Sequence, residues 1–211
     1  MAVPTQTTRL SAVNAILRTL NEAPVADLTP PLPIDAQFAA DVLDEVTLEV
    51  MSRGWSFNTE SDVELVLDGD SKYQVPANVV RIFLDSPNPS QKDLVFRADP
   101  DATPADALSL YNRSKGKHTF VMDAGMKATV VYLVDFEATP ETFRRYVQLR
   151  AARLFRDRLQ GPSAAAEVSR EEHQALATLR ESESDVERRT VFDSWAAART
   201  LNRRYPNTWR V

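Results

Sequence analysis

Apolar residues near the start of the chain recur at helical spacing. Leu10, Val13, Ile16, Leu17 and Leu20 share one face, and Thr8 or Ser11 can cap the orphan amides before them. Asn21 tolerates the left-handed backbone that closes a helix. The following stretch, PVADLTPPLP, places four prolines in ten residues and predicts an extended connector. Helical spacing resumes with Phe38, Val42, Val46 and Val50, with Asp35 as the expected N-cap and Gly54 as the residue just past the end. After Gly54 the period drops to two, starting at Trp55 and Phe57 and continuing through Val63, Leu65 and Leu67. Asp68-Gly69-Asp70 reads as a turn. Strands are expected at 72–75, 79–84, 94–97, 108–111, 118–122 and 129–134, giving an antiparallel β module of six or seven short strands. The intervening DSPNPSQKD and ADPDATPAD have the composition of surface loops.

Helical spacing returns at Thr139-Pro140-Glu141, where Thr139 is the expected cap, Pro140 the first helical residue and Glu141 a partner for the helix dipole. Phe143, Val147, Ala151, Phe155 and Leu159 form the apolar stripe, and Gly161-Pro162 ends the helix. A fourth helix is expected from about Ser163 to Arg188, with Val168, Ala175, Leu176, Leu179 and Val186 on one face. A short fifth helix is expected over 193–201, followed by an arm without periodicity. The pattern therefore predicts an α+β protein. Residues 1–54 and 139–211 would form a discontinuous helical bundle with a C-terminal arm, and 55–138 an inserted antiparallel β domain.

Composition narrows the chemistry. The 211 residues include no cysteine and two histidines, which removes disulfides, thiolate metal sites and cysteine nucleophiles, and leaves no HExxH motif. That fits synthesis in a reducing cytoplasm. His118 reads as a strand residue beside Lys117 and His173 as a solvated helix residue. No export signal or apolar run of the ~18 residues needed for a membrane span is present. Net charge is −5, distributed as −7 over residues 1–134 and +2 over 135–211. This balance lacks the concentrated Lys and Arg of a nucleic-acid binder and suits contacts with other proteins.

The five glycines fall at expected caps and turns, and neither GxGxxG nor GxxxxGK[ST] occurs, so no cofactor or nucleotide site is expected. Carboxylates are the remaining catalytic raw material. Asp68 with Asp70, or Glu171 with Glu172, are the pairs a glycosidase would draw on, but their turn and polar-helix settings explain them without catalysis. On the third helix, Arg145, Arg153 and Arg156 point away from the apolar stripe. Arg144 and Arg158 fall within it and require partners, either across a subunit contact or within the chain. In the arm, Trp195, Arg199, Tyr205 and Trp209 combine aromatic and basic groups in the manner of protein interfaces.

Three segments, in order, resemble the tail tubular protein A family, the head-to-tail adaptors or gatekeepers of short-tailed bacteriophages. The first runs from Leu10-Ser11-Ala12-Val13-Asn14 through Ile16-Leu17 to Asn21-Glu22-Ala23-Pro24-Val25, with Asn21 where the family more usually has Gly. The second, Ser52-Arg53-Gly54-Trp55-Ser56-Phe57-Asn58, is the most specific. The third extends from Asp135 through Pro140, Phe143-Arg144, Ala151-Ala152, Arg153, Phe155 and Arg158 to Gly161. The resemblance implies a non-enzymatic virion protein of the phage tail, assembled as a dodecameric ring. It would join the portal protein to a tail nozzle of the tail tubular protein B type. DNA would pass through its channel without sequence-specific binding, and no membrane would be involved. Competing expectations are a tail-associated carbohydrate-cleaving enzyme and an all-helical connector of the long-tailed phages.

Overall fold

The computed structural model describes residues 6–84, 93–101, 108–120, 126–161 and 166–193, with backbone alone at 166–169 and 186–193. The predicted fifth helix beyond Asp193, the arm, most of the two long strand-connecting loops and Pro162 lie outside the described residues. The fold is α+β, with four α-helices and two small antiparallel sheets among the described residues. Its order is α1 (Arg9–Arg18), α2 (Ile34–Met51), β1 (Thr59–Glu64), β2 (Val79–Leu84), β3 (Leu94–Ala98), β4 (Leu108–Asn112), β5 (Lys127–Tyr132), α3 (Glu141–Gln160) and α4 (Ala166–Asp193). Five strands between the second and third helices are incompatible with an all-helical connector. The chain divides into two compact units, Met1–Leu43 with Pro140–Val211, and Asp44–Thr139.

In the first unit, Thr8 and Ser11 together cap α1: the Ser11 N–H donates to Thr8 Oγ1 at 3.1 Å and the Thr8 N–H to Ser11 Oγ at 2.9 Å. The face of Ala12, Val13, Ile16 and Leu17 is buried. Asn21 has φ 59°, the left-handed conformation expected of it. Asn14 then holds the proline-rich connector through two bonds to the Val25 backbone, Nδ2 to O at 2.9 Å and N to Oδ1 at 2.8 Å. Helix α2 starts at Ile34, two residues before the Ala36 that an Asp35 N-cap implies. The Pro33 carbonyl accepts from the Gln37 N–H, so Asp35 sits inside the first turn facing the helix dipole and is not the N-cap.

Helix α3 packs against both α1 and α4, and Phe155 meets Phe38 with ring centroids 5.4 Å apart. Phe143, Val147, Ala151 and Phe155 are buried as the stripe predicts, but Leu159 in the last turn is 48% exposed. Pro140, not Thr139, is the N-cap. The Thr139 hydroxyl instead donates to the Phe136 carbonyl in the preceding 3₁₀ turn. Gly161 ends α3 with φ 83°. In α4, Leu179 is buried and Ala175 and Leu176 are half-buried, whereas the side chains of Val168 and Val186 lie outside the described residues.

In the second unit, β1, β5 and β2 form one sheet in that order, and β3 pairs with β4 in another. All pairings are antiparallel. One core serves both sheets: Tyr73, Val75, Leu110, Met126, Ala128 and Val130 are buried together, with Val63, Phe96 and Phe120 packed on them. The expected strand at 72–75 makes only isolated bridges at Lys72 and Gln74. Around His118, Lys117 and Thr119 likewise make single bridges, and Val121-Met122 lies outside the described residues. Trp55 and Phe57 are not strand residues either. They belong to the turn that connects α2 to β1.

Candidate functional site

The turn after α2 gives the Ser52–Asn58 segment a physical role. Asn58, 2% exposed, binds three backbone groups at once. Its Nδ2 donates to Met51 O at 3.2 Å and Tyr132 O at 2.8 Å, and its Oδ1 accepts from the Trp55 N–H at 2.8 Å. The Trp55 indole N–H caps α2 by donating to Val50 O at 2.8 Å, and the Tyr132 N–H donates to Asn58 O at 2.8 Å. One end of α2 is thereby stitched to the end of β5. Gly54 is required here because its φ is 81° and a Cβ would stand 3.3 Å from both Thr59 Oγ1 and Val131 Cγ2.

The third segment organises the helices of the other unit. Arg144 is buried on α3, and its guanidinium donates to Thr7 O at 2.8 Å and Gln6 Oε1 at 3.0 Å. Glu141, one turn earlier, accepts from the Thr7 N–H at 2.9 Å and hydroxyl at 2.5 Å. These two side chains clamp the chain entering α1. Arg158, expected within the stripe, is exposed, because the last turn of α3 runs past the buried face that also leaves Leu159 in solvent. Trp195, Arg199, Tyr205 and Trp209 lie outside the described residues.

Arg153 and Glu172 differ from their sequence expectations. Glu172 is buried between α3 and α4, where Oε1 accepts from Arg150 Nη1 at 3.2 Å and Oε2 from Arg153 Nε at 2.5 Å. Arg153 also reaches Asp157 at 3.1 Å. A wheel drawn for one stripe misses this, because α3 has two packed faces. The carboxylate strongly favours the charged Arg153 guanidinium and pushes its proton loss to still higher pH, against the opposing effect of burial.

Beside this ion cluster, α3 and α4 border an open groove of about 500 Å³, lined by Glu141, Thr142, Arg145, Leu149, Glu171 and Gln174 among others. One member of each carboxylate pair named as a glycosidase candidate is otherwise engaged. Asp68 Oδ1 accepts the backbone N–H groups of Asp70 and Lys72 in a turn, and Glu172 is held by arginines.

A Ser, a His and an Asp come close together in the β unit, which spacing along the chain did not reveal. Ser109 Oγ lies 2.5 Å from His118 Nδ1, the His118 ring meets that of Tyr111 at 4.8 Å and a 53° tilt, and the buried Asp99 is within electrostatic range of His118. Ser109 is completely buried, so no substrate carbonyl can approach its hydroxyl. Asp99 forms a 2.7 Å ion pair with Lys72, whose hydrogen bond holds the carboxyl below the ordinary carboxylate range despite burial. The group reads as a polar part of the core. Among the described residues no cluster of metal-ligating side chains occurs and no helix is long and apolar enough to cross a membrane.

The described residues thus form an α+β chain in which a helical unit is interrupted by a β unit and buried polar side chains hold backbone in place. A family model described as Tail tubular protein matches residues 10–189. The chain belongs to the tail tubular protein family and is a structural component of a phage tail. The matched span includes all three segments discussed above. No curated protein matches the sequence.

Proposed function

We propose that this chain is the head-to-tail adaptor of a short-tailed phage, a ring of twelve copies between the portal and the tail nozzle through which DNA leaves the capsid. The observation that carries this reading is the family match over residues 10–189. It is supported by the Asn58 joint and the Arg144 clamp, which give the family-like segments architectural roles. The protein acts without a catalytic site or cofactor and is made in the host cytoplasm. Its acidic balance suits a conduit that must not retain DNA. The helical and β units serve as separate domains facing portal and nozzle, respectively. Arg158 and the arm residues Trp195, Arg199, Tyr205 and Trp209 contact neighbouring subunits or partners, while Arg144 positions the segment that enters α1.

The test is to mix the purified chain with the portal protein of the same phage and examine the product by negative-stain electron microscopy. A twelve-fold ring stacked on the portal is expected. A portal that stays bare at micromolar protein would overturn the reading. The carbohydrate-cleaving alternative draws on Glu171, the one of its candidate carboxylates that lines the open α3–α4 groove. Release of reducing sugar from host surface polysaccharide, abolished by Glu171→Ala, would favour it.

A further inference from the structure

The three-stranded sheet ends in two edges of opposite character. β1 and β2 flank β5, and among the described residues no strand pairs with the outer side of either. On β1, Glu60, Asp62 and Glu64 are exposed, and a register shift between Glu60 and Val63 interrupts the ladder, with Asp62 at φ 60°. Acidic side chains and a bulge are the features that keep an edge from pairing indiscriminately. β2 carries no acidic side chain, and its own register shift, between Val79 and Arg81, leaves 81–84 in regular pairing with β5. Its sequence is VVRIFL, its one charge is the cation Arg81, and Phe83 is 43% exposed with the Arg81 guanidinium 4.3 Å above its ring.

We propose that the outer edge of β2 pairs with the outer edge of β1 in the next copy of this chain, so that one sheet continues from subunit to subunit. This rests on the ring reading above and names the surface that would build the ring. Strand direction permits it: β1 and β2 are each antiparallel to β5 and hence parallel to one another. A rotation about an axis along the strands therefore presents the neighbour's β1 to β2 in parallel alignment. The contact is heterologous, as ring closure requires. Register places Arg81 and Phe83 on the same sheet face as Glu64, through Val131, Thr129 and Lys127 of β5. An acidic edge thus meets a cationic one, whereas pairing two β2 edges would bring like charges and exposed aromatics together without such complementarity.

The absence of native cysteine makes cross-linking a clean test. Paired strands lie within disulfide reach. Two double variants, Glu64→Cys with Phe83→Cys and Glu64→Cys with Arg81→Cys, sample neighbouring registers. They and the three single variants are checked for native far-UV circular dichroism, assembled on the portal, and oxidised mildly. At least one double variant is expected to give a reducible ladder of covalent multimers, while the single variants run as monomers. Rings seen by microscopy with no ladder from either double variant would overturn the edge pairing and leave the adaptor reading intact. Efficient covalent dimers from Phe83→Cys alone would overturn it in favour of a two-fold contact. If wild-type protein forms no ring on the portal, the adaptor reading fails and this inference fails with it.

Discussion

Replacing Asn58 with alanine removes three hydrogen bonds to backbone groups: the Met51 and Tyr132 carbonyls and the Trp55 amide. Each such bond contributes about 1 kcal/mol net, so the loss is about 3 kcal/mol. It approaches about 5 kcal/mol if the buried partners remain unpaired. With about 2–4 °C of melting temperature per kcal/mol for a chain of this size, a 3 kcal/mol loss lowers Tm by roughly 6–12 °C. Asn58→Asp is expected to be worse. It keeps the acceptor for the Trp55 amide but turns a carboxylate oxygen toward two carbonyl oxygens in a site that water barely reaches. Urea unfolding followed by far-UV circular dichroism and tryptophan fluorescence measures both variants. A loss below about 1 kcal/mol for Asn58→Ala, or an Asp variant as stable as wild type, would refute the role given to this joint.

Glu172→Ala removes the carboxylate that Arg150 and Arg153 share between α3 and α4, with Asp157 still beside Arg153, and should cost about 2–4 kcal/mol in urea unfolding, with no change if the cluster is only decorative. Arg144→Ala should destabilise by about 2 kcal/mol and make the chain before α1 more sensitive to protease, while Arg158→Ala changes stability by less than about 0.5 kcal/mol. Equal effects of the two would contradict their different burial. The Asp99–Lys72 pair gives a signed pH dependence. Asp99 titrates lower in the folded state, so its contribution is present above the unfolded value of about 3.9 and is lost as pH falls through the folded one. Lys72 titrates higher when folded, so its contribution is present below about 10.4 and is lost as pH rises through the folded value. In Lys72→Met the buried carboxyl can recover by taking a proton. The penalty in melting temperature should therefore shrink between pH 7 and pH 4, and a constant penalty would show that the pair is not the cause.

Local signals in the sequence marked individual elements well. Thr8 and Ser11 identified the start of α1, Asn21 its left-handed exit, and the apolar run at 79–84 the full extent of β2. What failed was whatever depended on a second neighbour. The helical wheel of α3 placed Arg153 away from the core because it followed one stripe, whereas α3 packs on two helices and Arg153 meets Glu172 on the other face. It buried Arg158 and Leu159 because periodicity says nothing about where the neighbouring helix stops. Thr139 lost its expected capping role to a competing acceptor, the Phe136 carbonyl, only three residues away. The candidate sites show the same division. The Gly54–Asn58 turn lies within one short segment and was visible as a motif. The Arg144 clamp joins residues separated by more than half the chain, and the division of strands into two sheets depends on pairing that alternation alone does not specify.

The proposed ring sets many copies of this chain between portal and nozzle. Cryo-electron microscopy of the mature particle, reconstructed around the tail axis, tests it most directly. Twelve copies are expected at the portal exit, helices toward the head and strands toward the nozzle, with density continuous from β2 of each copy to β1 of the next. This chain found instead as a peripheral spike, or missing from the portal–nozzle junction, would contradict it.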